Sequence, residues 1–457
     1  MTDYRPPAPV PPKRQHSAVA RWWKARRCLL SPNPEKSYNM KMGHVRLPAG
    51  DLYIVCEPSL VRRILIEQWE RFPKNKALHR VLKPLLGDGV VISSGELWKM
   101  QRRMIDPAFQ EVGLKRVFPL MVNAVEAMQY RLDRLADGRV IAVDEKAAHV
   151  TADIIFRTIF SMPLEGAEAT RVYREFMDYQ EAAASTWLFG IAGLPTFILP
   201  SRYRAERSGR KIRSLLEPLV KSRYDDHHSG RPGPEKDILA ALLSAKDPET
   251  GHVFTLNELV DQVATLFLAG HETTAGALSW AIYLSAMCPH VQDRLSSEAR
   301  EVMGEREPAF ADLKRLKFTR DVFREVLRLY PSFGFIARTC AYDEEMRDKH
   351  VKAGSTVSVA PWLIHRHRTH WERPDIFDPN RFQTESGKAS LRTAYLPFSL
   401  GPRVCLGAAF AMQEAVLILA CLARRYRFEP LADHVPKPVG RLTIRSENGV
   451  KVRLYRR

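Results

Sequence analysis

The sequence predicts a mainly α-helical protein with a small β-rich portion, and three observations carry that prediction. From about Tyr38 onward, apolar residues recur mostly at helical spacing. The strand signals are short: Val45–Leu47 with Leu52–Cys56 around Pro48-Ala49-Gly50-Asp51, then Thr356–Ala360, then Leu442–Ile444 with Val450–Leu454. One helix, from about Leu256 to Cys288, is unusually long. Thr255 and Glu258 form a capping box at its start, each satisfying a free backbone N–H, and Pro289 ends it. Some 30 residues at 1.5 Å rise span roughly 45–50 Å, enough to cross the whole molecule. Val260, Val263, Phe267, Thr274 and Leu278 recur along it with few charges between, so it is expected to be largely buried.

Length alone, 457 residues, favours two or three domains, and a 45% apolar content supplies a large core. The formal charge of +18 fits a solvated surface, an anionic protein partner, a membrane surface or nucleic acid. Ten Lys/Arg against Asp3 and Glu35 lie in residues 1–46, so much of the excess sits on a Pro-rich tail, residues 1–37. No zinc-finger spacing or aromatic-basic motif occurs, which sets nucleic acid aside. Ordered structure is expected as one domain over 38–457, with His227–Pro234 as its clearest loop.

No apolar run is long enough to span a membrane. The proline-rich start lacks the apolar stretch of a secretory signal. Its arginines suit an organelle presequence and its prolines count against one, leaving a cytoplasmic location as the expectation. Arg21-Trp22-Trp23-Lys24-Ala25-Arg26-Arg27 before Cys28-Leu29-Leu30 reads as a short basic amphipathic helix, either plain surface or a peripheral membrane contact. Of the cysteines, Cys28, Cys56, Cys288, Cys340, Cys405 and Cys421, none forms a C-x-x-C pair. That argues against a ferredoxin cluster or zinc ribbon and fits free thiols in a reducing compartment.

Cys405 stands apart. It lies in Phe398-Ser399-Leu400-Gly401-Pro402-Arg403-Val404-Cys405-Leu406-Gly407, and Ala408 to Arg425 downstream reads as an uninterrupted helix. Unpaired N–H groups and the macrodipole at a helix start stabilise a thiolate. The flanking glycines let backbone N–H groups approach the sulfur, and Arg403 can pair with an anionic group of a cofactor. Such a thiolate suits a soft or borderline metal, or a nucleophile, although no His stands in the loop to act as base.

On the long helix, Ala269-Gly270-His271-Glu272-Thr273-Thr274 combines a helix-weakening glycine, about 1 kcal/mol against alanine, with a carboxylate on a mostly apolar face. Bare backbone at Gly270 lets a flat cofactor approach. Thr273 can bond an upstream carbonyl and loosen the turn. Glu272 is costly there unless it is paired or moves protons, and His271 reads as a packing or hydrogen-bonding residue. Glu325 and Arg328 share one helix face in Phe323–Pro331, and Arg381 follows in Phe377-Asp-Pro-Asn-Arg-Phe382.

Phe398–Gly407 matches the haem signature F-x-x-G-x-R-x-C-x-G of the cytochrome P-450 family at every fixed position, and the chain resembles that family from about Tyr38 to its end. The resemblance implies one mainly helical fold with the long helix over the haem, which replaces the multi-domain expectation. It implies haem b (iron protoporphyrin IX) with Cys405 as axial ligand and O2 as co-substrate. Ala269–Thr274 then resembles the oxygen-activation segment, with Glu272 and Thr273 delivering protons. Ala269, Gly270 and Phe398 become haem contacts. Trp98 with Arg102, together with Arg338 and Arg403, resembles the set holding the haem propionates. Trp371 and Pro374 after His365 fit a further family pattern, and Glu325, Arg328 and Arg381 resemble its buried structural triad.

The implied activity is monooxygenation of a hydrophobic small molecule. A haem-thiolate peroxygenase or isomerase is the alternative, and a non-catalytic haem sensor a third reading. Electrons would come from a separate ferredoxin or flavodoxin with its reductase, since no flavin or nicotinamide fingerprint is present. That carrier would dock on a basic face including Lys99, Arg102, Arg103, Lys115 and Arg116. The enzyme is expected to be a monomer. By analogy Val91, Ile92, Phe335 and Ile336 would line the substrate pocket, under a lid at Phe189–Leu199.

Overall fold

The structure is a computed structural model and describes residues 3–13, 18–47, 50–164, 175–176, 178–179, 182–183, 186, 189, 199–231, 233–234 and 236–457. Its longer helices are α1 (Ala18–Arg27), α2 (Lys76–Leu86), α3 (Gly95–Ile105), α4 (Glu111–Asp133), α5 (Val143–Phe160), α6 (Pro200–His228), α7 (Leu256–Met287), α8 (Pro289–Met303), α9 (Lys317–Leu329), α10 (Glu385–Thr393) and α11 (Ala408–Arg425). The expected mainly helical fold is what is found, with strands confined to small sheets.

The long helix runs as predicted. The Thr255 side chain caps the Glu258 N–H and the Glu258 carboxylate accepts from the Thr255 N–H. Its apolar faces bury it between α5, which it contacts most extensively, and α6, α9 and α11. Most core side chains form one hydrophobic cluster reaching from Leu30 to Leu454. Among the described residues, no helix is long and apolar enough to cross a membrane.

The largest sheet places β1 (Met42–Leu47), β2 (Gly50–Val55), β7 (Thr356–Val359) and β4 (Ile336–Thr339) in that order, and β5 (Glu344–Met346) pairs with β6 (Lys349–Val351) apart from it. Strands β1 and β2 form the expected antiparallel hairpin. Strand β7 joins β2 in parallel, and β4 closes the edge. At the C-terminus the pairing departs from expectation. Strand β10 (Ile444–Ser446) pairs with β9 (Pro438–Gly440), whereas β11 (Lys451–Arg456) pairs with β3 (Asp137–Ala142) and β8 (Tyr426–Pro430). Local β propensity marks strands and leaves their partners open.

The start of the chain also differs from expectation. Ordered structure does not wait for Tyr38. The Tyr4 carbonyl accepts from the Phe377 N–H and the Pro7 carbonyl from the Tyr330 hydroxyl. The Tyr4 hydroxyl meets that of Tyr283 at 3.2 Å, and Asp3 and Arg5 pair with Arg373 and Asp375. Helix α1 forms where the basic segment was read, and Leu30 behind it is only 2% exposed. Proline-rich sequence is poor in local signal, yet its free carbonyls and stiff backbone make it a ready strap for donors on a folded body.

Candidate active site around Cys405

Cys405 ends a tight loop. Ser399 and Gly401 both have positive φ (63° and 74°). A side chain at Gly401 would place its Cβ 2.1 Å from the Leu65 carbonyl oxygen, so this glycine is required by both its backbone angle and a close approach. The Cys405 N–H donates to the Phe398 carbonyl at 2.9 Å, closing the loop on the half-buried Phe398. Gly407 is the N-cap of α11. Burial pushes the Cys405 thiol up, while the Gly407 N–H directed at the sulfur and the nearby Arg102 pull it down. The residue is exposed by its surface, yet enough of the chain surrounds it for burial to act on the thiol.

Four cations gather beside it. Arg102 on α3 donates to the Val404 carbonyl at 2.8 Å and pairs with Asp106. Arg403 donates to the Trp69 and Phe72 carbonyls and lies 4.5 Å from the Trp69 ring centroid. Arg338 stands on β4, where Lys74 pairs with it as an isolated bridge. The Lys74 ammonium donates to the Val90 and Ser93 carbonyls. Burial, then Arg403, Arg338 and Arg102, pull Lys74 down to about 6. Burial first and Arg403 next pull Arg338 down to about 10, and burial brings Arg403 to about 10.

Among the described residues, no carboxylate forms an ion pair with Lys74, Arg338 or Arg403. Cations crowded this way, with carbonyls but no anion, fit a group that brings its own carboxylates. A cysteine at a helix N-terminus beside them fits the iron of a haem bearing two propionates. Sequence reading found Arg102, Arg338 and Arg403 and missed Lys74, whose neighbours carry no motif. Trp98 is 5% exposed, under Arg403 and Lys74.

On α7, Thr273 Oγ1 donates to the Ala269 carbonyl at 2.7 Å, the upstream bond anticipated from sequence. Ala269 is exposed and Thr273 half-buried. Glu272 Oε1 accepts from the Thr443 hydroxyl at 2.7 Å, a contact from the β9–β10 hairpin that sequence reading did not foresee. The Thr273 carbonyl accepts from Ser332. His271 is 1% exposed and lies near parallel to the Phe267 ring, with burial lowering it to about 4, so it packs as expected.

Gly270 needs a correction. Its missing side chain does not face a cofactor: a Cβ there would lie 2.4 Å from Ile155 Cδ1 on α5. The glycine is needed for the close packing of two helices. Gly270→Ala is therefore expected to cost about 1–3 kcal/mol by overpacking. Ile155→Val, which removes that methyl, should restore most of the loss in denaturant unfolding of the double variant. Equal losses in the single and double variants would refute this account.

Behind the cysteine loop, Glu325 and Arg328 on α9 are fully buried and joined by two 2.8 Å bonds. Arg381 Nε donates to Glu325 Oε1 at 2.9 Å, and the Asp378 N–H to the same oxygen. The guanidinium groups also hold the His365, Pro374, Glu372 and Ile376 carbonyls. Trp371, 3% exposed, donates to the Ile364 carbonyl, and Arg328 lies 5.3 Å from its ring.

The pocket and docking residues come out mixed. Val91 is open at 39%, but Ile92 is packed in the core at 3%, because the turn from Gly89 to Ser93 sends the two side chains apart. Phe335 and Ile336 are half-buried. Phe189 and Leu199 are also half-buried, and residues 190–198 of the lid lie outside the described residues. On the proposed basic face, Arg102 is turned inward and Arg103 is spent on the buried Asp247 at 2.7 Å. Lys115 and Arg116 stay exposed, and Lys99 pairs with Glu70 and Glu96. Spacing alone cannot tell an inward arginine from a solvated one.

Comparison with known proteins agrees with this geometry. The family model "Cytochrome P450" matches residues 34–452. Cyclooctatin synthase of Streptomyces melanosporofaciens is 33% identical over 405 residues, covering 88% of this chain and 85% of that one. Cyclooctat-9-en-7-ol 5-monooxygenase of the same organism is 31% identical, covering 85% and 82%. The crystal structure of the cytochrome P450DA haem domain superposes with a TM-score of 0.82 over 99% of both chains at 24% identity, which speaks for the fold. With the family model covering most of its length and a monooxygenase among the relatives more than 30% identical to it, the chain belongs to the cytochrome P450 family of haem-thiolate monooxygenases.

Proposed function

We propose that Cys405 is the axial ligand of a haem b and that the enzyme hydroxylates a hydrophobic small molecule, with electrons from a separate ferredoxin or flavodoxin. The observation that carries this reading is Cys405 at the N-terminus of α11, with the Gly407 N–H directed at its sulfur and the Lys74, Arg102, Arg338 and Arg403 cluster beside it. The haem, when bound, supplies the activation of O2, which an anionic sulfur ligand favours by pushing electron density toward O–O cleavage.

The chain's own groups do the rest. The four cations would hold the propionates, and Trp98 shields them from solvent. Because the Thr273 hydroxyl donates its hydrogen bond to the Ala269 carbonyl, its Oγ1 is left as an acceptor that can orient a water. Glu272 holds or releases the proton at its oxygens, and the Thr443 hydroxyl fixes Oε1 until it does. Thr273→Ala is expected to lower product formed per reductant consumed by about an order of magnitude. Thr443→Val, which removes one hydrogen bond, should lower it by less, about fivefold. Both are read as the split between product and hydrogen peroxide. Unchanged coupling in Thr273→Ala would point to the peroxide-driven alternative.

The named reaction of the Streptomyces relative, on an unsaturated cyclic alcohol, directs the first screen to unsaturated cyclic alcohols, with fatty acids beside them. The test is spin-state titration of the haem-loaded protein, then turnover with a surrogate ferredoxin and reductase. A bound ligand that yields a hydroxylated product supports the reading. Haem binding with no turnover on any electron donor would favour a sensor.

A further inference from the structure

Glu414 is a fully buried carboxyl that the reaction as described leaves unused. It lies on α11, the helix that begins behind Cys405, at 0% exposure. Neither of its oxygens has a hydrogen bond of good geometry, and the same is true of the Thr274 hydroxyl, itself 3% exposed. Yet the helices that carry them pack on each other, and Thr274 stands near enough to the carboxyl to act on it. Burial drives the carboxyl well above its ordinary range, and Thr274 is the group that opposes it; no cation or second carboxylate of α4, α7, α8 or α9, the long helices packed on α11, acts on it. An ionised carboxylate with one hydroxyl for company would be prohibitively costly. A protonated one is a donor, and Thr274 is an acceptor in need of one.

Thr274 follows Thr273 directly, in the turn that carries the proton-handling pair. A bond from Glu414 to Thr274 joins the helix of the cysteine to the helix of the oxygen site at that turn. We propose that Glu414 is a neutral hydrogen-bond donor to Thr274, a positioning residue that fixes the Glu272–Thr273 turn of α7 relative to the thiolate helix. The inference rests on the reading of Glu272 and Thr273 as the proton-handling pair, but its first two readouts need no turnover.

The experiment compares Glu414→Gln, Glu414→Leu and Thr274→Val with the wild type, all haem-loaded and ferric. Infrared spectra should show a protonated-carboxyl stretch that persists from mildly acid to mildly alkaline solution. Glu414→Gln should remove that band and Thr274→Val should shift it. Amide hydrogen exchange around residues 270–276 should quicken about fivefold in Thr274→Val and Glu414→Leu, the effect of one lost hydrogen bond, and stay near wild type in Glu414→Gln, whose amide still donates. With a surrogate ferredoxin, its reductase and dodecanoic acid as probe, hydrogen peroxide released per NADH should rise in the first two and not in the third.

A carboxylate band in place of the carboxyl band would overturn the proposal. So would Glu414→Gln behaving like Glu414→Leu, since the acid's own proton would then be in use, or exchange unchanged in Thr274→Val. Should Glu414→Leu fail to fold, Thr274→Val and Glu414→Gln decide the matter alone. Failure of the monooxygenase reading would show as absent turnover in the wild type and leave the infrared and exchange results standing.

Discussion

Cys405→Ser is expected to abolish the strongly red-shifted Soret band of the reduced, carbon-monoxide-bound protein and to bring turnover to background. Serine is close in size, so the loop from Phe398 to Gly407, held by the Cys405 N–H bond to Phe398 and by the close approach of Gly401 to Leu65, should keep its shape. What is lost is the soft, polarisable anion that the Gly407 N–H and the start of α11 favour. Haem affinity should fall less than the spectrum changes, because Lys74, Arg102, Arg338 and Arg403 do not depend on the sulfur. The measurement is the reduced difference spectrum with haem content assayed on the same sample. A band that survives the substitution would remove Cys405 as the ligand and the proposed chemistry with it.

The second large effect is on stability. Glu325→Gln keeps the shape of the side chain but leaves Arg328 and Arg381 as buried cations facing a neutral amide. Removing one partner of such a network costs about 3–5 kcal/mol, a large share of the stability of a typical domain. Burial pushes the Glu325 carboxyl up, but Arg328 and Arg381 outweigh it, and the net result lies below its ordinary value. A carboxyl depressed on folding contributes stability that is fully present above its unfolded value, about 4.3, and is lost as pH falls through the lower folded value. The wild type should therefore lose this contribution only in acid, whereas Glu325→Gln should be destabilised already at neutral pH and lose less on acidification. Denaturant unfolding at both pH values checks this, with haem retention as a second readout. A neutral-pH loss below about 1 kcal/mol would mean that the network is not the brace it is taken for.

Much of this was legible because the chemistry lies in contiguous stretches. The cysteine loop is ten residues read in one pass, and its helix follows without a break. The capping box of α7 needs only Thr255 and Glu258, three residues apart, and its backbone bonds form as the spacing requires. Glu325 and Arg328 meet within one helical turn. The Thr273 bond to Ala269 is likewise local, four residues back along the helix. In each case the geometry of one element brings the partners together.

The remaining features are contacts between segments far apart in the chain, and no local period encodes them. Lys74 looks like any surface lysine until folding sets it against Arg338 and Arg403. Thr443 reaches Glu272 across 171 positions, and Glu414 meets Thr274 only because α11 packs on α7. Gly270 was read rightly as a special glycine and wrongly as to its partner, since the sequence marks where backbone is bare but not what packs against it. The strap from Asp3 to Pro12, read as a tail, is held by hydrogen bonds to Tyr330, Phe377 and Glu35. The helical class, the cysteine loop and the local pairs can be read along the chain, because spacing within one element dictates them. Which cations gather beside the cysteine, what the glycine faces and where the chain's start lies emerge only on folding, because those depend on which surfaces meet.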